Sequence, residues 1–133
     1  MQIEQRTTFI HADDFGITPG QAKAILSLSS SCGGSGALNS VSIFANSPAF
    51  YEAASLAQPY VRRGVLRVCL HLNLVEGPSV ADPKRIPLLV NERGMFDNNF
   101  MGLFKLGITN KGEAFNQLCL LYTSPSPRDV EES

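Results

Sequence analysis

The sequence is poor in several features that would assign it to a particular class of protein. It has no tryptophan, only two histidines and only three cysteines among 133 residues, and no two cysteines are spaced as CxxC. Neither a zinc knuckle nor a disulfide framework is therefore supported, and reduced thiols in a cytoplasmic protein are the plain interpretation. Charged residues make up 17% of the chain and sum to -1, so the basic surface expected for nucleic-acid binding is missing.

Long hydrophobic runs are also missing. No apolar run approaches the ~20 residues that a membrane-spanning helix needs, and the polar residues 1–8 lack the hydrophobic segment of a signal peptide. The hydrophobic fraction of 44% is ordinary for a globular domain with one modest core. The composition therefore predicts a globular protein with neither a membrane nor a nucleic acid as its partner.

The composition changes abruptly after residue 118. Residues 119–129 read CLLYTSPSPRD, which resembles one reading frame of a common transposase-type sequencing adapter. A natural disordered Ser/Pro tail is the alternative that the composition allows. We expect residues 1–118 to be the N-terminal part of a longer domain and residues 119–133 to be a non-native tail.

The rest of the chain alternates β-rich runs with helical segments. Strands are predicted over residues 7–12, 37–44 and 65–74. A helix with Thr18 as its N-cap follows the first strand, and a helix that opens at Ser47 and ends before Pro59 follows the second. Later segments predict a short hairpin near residues 91–94 and helices over residues 98–106 and from residue 111 onward.

The order βαβαβ predicts an α/β fold with parallel strands and helical crossovers. Three βα units cannot close a (β/α)-barrel, which takes about 250 residues. The fold is therefore either a small open α/β sheet or the N-terminal portion of a truncated barrel, and the adapter-like tail favours truncation.

Polar residues fall at the carboxyl ends of the predicted strands, where active sites of α/β folds gather. Asp13 and Asp14 end the first strand, and His71 and Asn73 end the third. Carboxylate and imidazole suit a divalent metal with open water positions, and a second carboxylate that does not ligate can act as a general base. Because adjacent strand residues point to opposite faces, we expect one aspartate to face the metal and the other to be turned aside.

Each candidate has a structural alternative. An Asp-Asp pair after a strand commonly forms a turn or a helix cap, although Thr18 already supplies the cap here. His71 would ordinarily be a core histidine, but it shares its strand face with polar residues, and His11 could equally fill space beside the site. Three polar residues of the second strand either reach into the site or satisfy buried neighbours: Asn39, Ser40 and Ser42.

The motifs ADDFGIT, GALNSVSIFANSPAF and HLNLVEG occur in this order and together resemble the YdjC-like (ChbG-type) carbohydrate deacetylases over most of residues 7–118. The resemblance implies a barrel-like α/β fold that hydrolyses the N-acetyl group of an amino sugar or chitin-type oligosaccharide. It implies a divalent metal, with Mg²⁺ favoured over Zn²⁺, and allows a homodimer of the full-length protein. By position in the motifs, Asp14 and His71 look like metal ligands, Asp13 like the general base, and His11 and Asn73 like substrate or outer-shell residues.

The chain departs from the family pattern at two places. His11 stands where the family usually has Asn, and the His-rich segment that supplies the family's third metal ligand is absent, since His11 and His71 are the only histidines. We therefore expect the 133-residue chain to be an incomplete and inactive part of the enzyme.

Three other readings compete with the deacetylase. A non-catalytic sugar-binding or interaction module stays open. A response-regulator receiver domain would need a phospho-accepting Asp where His71 stands, and a NodB-type polysaccharide deacetylase would need an HxxxH pair that the sequence lacks.

Overall fold

The computed structural model describes residues 7–122. They form two compact units, which divide between Leu72 and Asn73. The part of the predicted tail from residue 123 onward lies outside the described residues.

The first unit is a three-stranded parallel sheet with helical crossovers. Its elements are β1 (His11–Phe15), α1 (Pro19–Leu26), β2 (Ser40–Phe44), α2 (Phe50–Arg62) and β3 (Arg67–His71). The strands lie in the order β1-β2-β3, and both pairings are parallel. The predicted α/β class and the βαβαβ order are confirmed, and neighbouring strands that follow one another in sequence are the arrangement found in (β/α)-barrels.

The sheet separates an apolar face from a polar one. Val41 and Ile43 of β2 lie in a buried cluster with residues of both helices, among them Ala22 of α1 and Ala53 of α2. Because side chains alternate along a strand, Ser40 and Ser42 belong to the other face. The helices thus cover one side of the sheet, and the polar side chains collect on the opposite side.

Strand β1 runs from His11 to Phe15, so the predicted strand bounds of residues 7–12 are wrong. The preceding residues are held by a side chain, since the Asn39 carboxamide accepts from the Ile10 amide at 2.9 Å and donates to the Thr8 carbonyl at 2.9 Å. Both Asp13 and Asp14 therefore lie within the strand.

Helix α2 continues through Pro59 to Arg62, so the prediction that it ends before the proline is also wrong. A proline inside a helix removes one backbone hydrogen bond. Here Ala57, before the proline, is buried and Tyr60, after it, packs against the same core cluster. Burial on both sides of Pro59 offsets the missing bond.

The second unit joins a small hairpin to two helices. Strand β4 (Glu76–Pro78) pairs antiparallel with β5 (Met95–Asp97), and α3 (Phe100–Thr109) and α4 (Lys111–Tyr122) follow. Residues 91–94, predicted as a hairpin, form a turn that precedes β5, in which the Gly94 amide donates to the Asn91 carbonyl. Helix α3 begins at Phe100, after the N-cap Asn99, two residues later than the predicted start at residue 98.

Helix α4 includes the first residues of the predicted tail. Its last turn contains Leu121, which packs in the second unit's core with Ile86, Leu89 and Phe96. The boundary at residues 118/119 between domain and tail stays a prediction. Among residues 7–122, none of the helices combines the length and hydropathy that a membrane crossing requires.

Gly16 offers a test of how tightly α2 packs over the end of β1. Its φ is +92°, and a Cβ there would lie 2.8 Å from the Ala53 Cβ, whereas Gly64 has a φ of +71° and no atom within 4 Å of its Cβ position. We expect Gly64→Ala to lower the free energy of unfolding by about 1–2 kcal/mol through backbone strain alone. Gly16→Ala should cost about 1–3 kcal/mol more because it also overpacks the core.

Urea unfolding of both variants measures the difference. Equal losses would mean that Ala53 moves away at no cost.

Candidate active site

A β-bulge near the end of β1 sets the geometry of the polar face. Ala12 pairs with Val41 and Phe15 pairs with Ile43, so β1 uses one more residue than β2 over the same span. The backbone of Asp14 accommodates this extra residue by adopting a φ of 61°. Asp14 is the one non-glycine residue with positive φ among residues 7–122. Aspartate tolerates this left-handed conformation better than most residues do.

The bulge is held by the side chain of Gln21 in α1. Its Nε2 donates to the Asp14 carbonyl at 2.6 Å, and its Oε1 accepts from the amides of Gly16 and Ile17 at 3.0 and 3.1 Å. The predicted N-cap of this helix is confirmed, because the Thr18 hydroxyl accepts from the Gln21 amide at 3.1 Å. Helix α1 therefore positions Asp14 through its third residue.

Both aspartates border the imidazole of His71, which is the last residue of β3. Asp14 Oδ1 lies 3.3 Å from His71 Nε2, and Asp13 Oδ1 lies 3.7 Å from His71 Nδ1. Strand alternation alone would place the two aspartates on opposite faces of the sheet, but the extra residue of the bulge breaks the alternation, and both carboxylates reach the same imidazole. Each carboxylate instead approaches a different ring nitrogen.

Ser42 connects Asp13 to His71. Its hydroxyl donates to Asp13 Oδ1 at 2.8 Å and lies 3.0 Å from His71 Nδ1. This hydrogen bond is the largest cause of a lowered pKa at the Asp13 carboxyl; burial opposes it, and the nearby imidazoles of His11 and His71 lower the pKa further. Asp13 is therefore held as the carboxylate.

His11 forms a second connection across the same strands. Its Nδ1 lies 2.7 Å from the Ser40 hydroxyl, and its Nε2 lies 3.3 Å from Asp13 Oδ1. His11 therefore lies against the same carboxylate oxygen as Ser42, and its role toward a substrate stays a prediction. Asp13 thus stands between two imidazoles.

Known proteins match this chain over most of its described length. The YdjC-like protein family matches residues 8–130. The chain belongs to this family. A carbohydrate deacetylase of Thermoanaerobacter pseudethanolicus is 33% identical over 93 residues, which is 68% of this chain and 34% of that protein. A carbohydrate deacetylase of Geobacillus stearothermophilus is 32% identical over 114 residues, covering 86% of this chain and 41% of that protein.

One solved structure supports the same assignment. A crystal structure of an Enterococcus faecalis protein, named as a candidate cellobiose-phosphate cleavage protein, superposes with a TM-score of 0.62 at 28% identity, over 82% of this chain and 39% of that one. This YdjC-like chain therefore spans about a third to two fifths of the length of the relatives that it matches.

The geometry of the Asp14–His71 pair fits two ligands of one divalent metal. Donor atoms that each lie about 2.1 Å from a metal are about 3.0–3.4 Å apart when they are neighbours in its coordination sphere. The 3.3 Å between Asp14 Oδ1 and His71 Nε2 falls in that range. Within residues 7–122 no group of three or more His, Cys, Asp or Glu side chains is arranged to hold a metal, so this part of the YdjC-like chain offers a ligand pair and not a full set.

Asn73, predicted at the site, is the first residue of the second unit. Its Oδ1 accepts from the amides of Val75 and Glu76 at 3.0 and 3.2 Å, and its Nδ2 donates to the Glu76 carbonyl at 2.8 Å. The side chain therefore forms the turn that precedes β4, and its role toward a substrate stays a prediction.

Gln21 and Ser42 are the contributions that sequence reasoning did not assign. Gln21 is the third residue of α1, and its contact with the Asp14 carbonyl depends on the bulge, which the sequence does not show. Ser42 was a candidate with two alternatives, and its short contacts to Asp13 and His71 favour the site.

The Asp13 carboxyl offers a pH-dependent test. Its pKa lies below the ordinary value of 3.8, chiefly because Ser42 donates to the ionised form. A carboxyl whose pKa is lowered in the folded state stabilises the fold above its unfolded-state pKa, and that contribution is lost as the pH falls through the folded-state pKa. In ¹³C NMR of the carboxyl carbons we expect a midpoint for Asp13 below 3.8.

The matched variants are Ser42→Ala, which should raise this midpoint, and Ser40→Ala, which removes a hydroxyl that contacts His11 instead. A midpoint that stays the same in Ser42→Ala would contradict the assignment of Ser42 as the main cause.

Proposed function

We propose that the chain is part of a metal-dependent carbohydrate deacetylase that hydrolyses the N-acetyl group of an amino sugar or chitin-type oligosaccharide. The observation that carries the proposal is the placement of Asp14 Oδ1 and His71 Nε2 3.3 Å apart with Asp13 beside the same imidazole. The family and the relatives named as carbohydrate deacetylases support the reaction class.

Asp14 and His71 are the residues that would hold the metal, for which we favour Mg²⁺ over Zn²⁺. A bound divalent cation supplies Lewis-acid chemistry, polarising the acetamide carbonyl and making a nearby water more acidic. The two side chains come from the ends of β1 and β3, the rim at which α/β enzymes act. Asp14 is about half exposed, with 53% of its side-chain surface accessible, so a substrate can reach it.

Asp13 is the general base in this proposal. Its carboxylate receives a proton from the water that attacks the acetamide carbon, and the oxygen of that water becomes part of the released acetate. The C–N bond then breaks, and a protonated side chain returns a proton to the departing amine. Asp13 is 70% exposed, which leaves room for a water beside it.

We further propose that the 133-residue chain alone does not release acetate, because residues 7–122 supply a ligand pair and not a complete set. Residues of a longer protein would complete the site, in agreement with the 34–41% of each curated relative that this chain covers. The cytoplasmic location and a homodimer of the longer protein are part of the same proposal.

Metal binding tests the ligand pair directly. Loss of an outer-shell partner already costs about 10–100-fold in metal affinity, so His71→Ala and Asp14→Asn should each lower Zn²⁺ or Mg²⁺ affinity of the full-length protein by more than about 100-fold. Asn keeps the left-handed backbone accessible, so Asp14→Asn should leave the fold intact. Isothermal calorimetry measures the affinity.

Glu52→Gln, a charge change on α2 at the opposite face of the sheet, is the control for general electrostatic effects. An unchanged metal stoichiometry in His71→Ala would remove His71 from the ligand set.

Acetate release tests the base. Asp13→Asn should retain the metal but reduce acetate release from a chitin-type oligosaccharide by about 10²–10⁴-fold, the usual contribution of a positioned general base. The measurement compares the full-length protein with and without a chelator. Full activity of Asp13→Asn with metal bound would show that Asp13 is not the base, and sugar binding without acetate release by the unaltered protein would favour a binding module.

A further inference from the structure

Ser42 occupies the centre of the polar face of the sheet. It lies on the middle strand β2, its register partner on β3 is Cys69, and 5% of its surface is exposed. Its hydroxyl is the group that touches both Asp13 and His71. A buried hydroxyl in contact with two polar groups must divide its donor and acceptor roles between them.

The division follows from the number of protons. A serine hydroxyl has one proton to donate, and an ionised carboxylate can only accept. Ser42 therefore donates to Asp13 Oδ1 at 2.8 Å, and the contact of 3.0 Å with His71 Nδ1 requires that Nδ1 carry a proton and donate to the serine oxygen. The neutral imidazole then has its lone pair on Nε2, the nitrogen that lies 3.3 Å from Asp14.

We propose that Ser42 is a positioning residue of the metal site, which fixes the tautomer and orientation of His71 by donating to Asp13 and accepting from His71 Nδ1. The proposal rests on the proposed function, because it assigns Nε2 to the metal. Ligating histidines generally donate their other ring N–H to a fixed partner, and a serine backed by a carboxylate fills that place here.

A second contact restricts the same ring. The imidazole of His71 and the ring of Phe44 have centroids 4.4 Å apart at an interplanar angle of 60°. Phe44 therefore limits where the ring lies but offers Nδ1 no hydrogen-bond acceptor. Without Ser42, the ring proton would move to Nε2, where the Asp14 carboxylate can accept it, and the lone pair would face away from the metal position.

The tautomer is measured first, without any metal. Long-range ¹H–¹⁵N spectra of the 133-residue chain distinguish the two neutral forms of a histidine ring by which nitrogen carries the proton. We expect His71 to carry its proton on Nδ1 in the unaltered chain and on Nε2 in Ser42→Ala. A proton on Nε2 in the unaltered chain would overturn the proposal, whether or not any variant folds.

Metal affinity is measured second, on the full-length protein with Zn²⁺ as the probe. We expect Ser42→Ala to lower the affinity by about 10–100-fold, the usual effect of removing an outer-shell partner. Ser42→Thr keeps the hydroxyl and should therefore keep most of the Zn²⁺ affinity. Ser40→Ala is the matched control, because Ser40 is equally buried on β2 but contacts His11.

The two measurements separate the two proposals. If the unaltered protein binds no Zn²⁺, the proposed metal-dependent function fails, while the tautomer still decides the role of Ser42. If Ser42→Ala shifts the tautomer but leaves Zn²⁺ affinity unchanged, or if Ser40→Ala lowers the affinity as much, the positioning role is overturned.

Discussion

The left-handed backbone of Asp14 is the constraint on which the polar face depends. In a regular strand, Asp13 and Asp14 would point to opposite sides of the sheet, one toward the helices and one toward solvent. The extra residue in β1 rotates Asp14 so that its carboxylate reaches His71 as Asp13 does. A non-glycine residue in this conformation costs about 1–3 kcal/mol and persists only where its surroundings hold it. Gln21 stabilises this conformation by donating a hydrogen bond to the Asp14 carbonyl.

Packing of the middle strand β2 in the core fixes the side chains that β2 places on the polar face. Val41 and Ile43 are fixed in the apolar cluster, and their alternation with Ser40 and Ser42 fixes the two hydroxyls. Each hydroxyl contacts one histidine, and Asp13 Oδ1 lies within contact of both imidazoles. The positions of the two serine hydroxyls, and with them their contacts to the histidines, are therefore set by how Val41 and Ile43 pack under the helices, a relation that a change in the core would disturb.

Local patterns were enough to predict the βαβαβ order and the start of α1, because Thr18, Pro19 and the apolar spacing act within one or two turns. They also predicted that Asp13, Asp14 and His71 lie at the same edge of the sheet. The bulge could not be predicted, because it depends on the register between β1 and β2. Continuation of α2 through Pro59 likewise depends on burial of Ala57 and Tyr60 against residues distant in sequence.

The different surroundings of the two aspartates bear on the proposed chemistry. Asp13 accepts a hydrogen bond from Ser42 and lies near two imidazoles, which lowers its pKa and makes it a weak base toward ordinary water. In the proposed mechanism, such a carboxylate would accept a proton more readily from a water whose own acidity has been raised, as a divalent cation does. The lowered pKa of Asp13 and the placement of Asp14 beside Nε2 of His71 therefore support the proposed division of roles, in which Asp14 would hold the cation and Asp13 would take the proton.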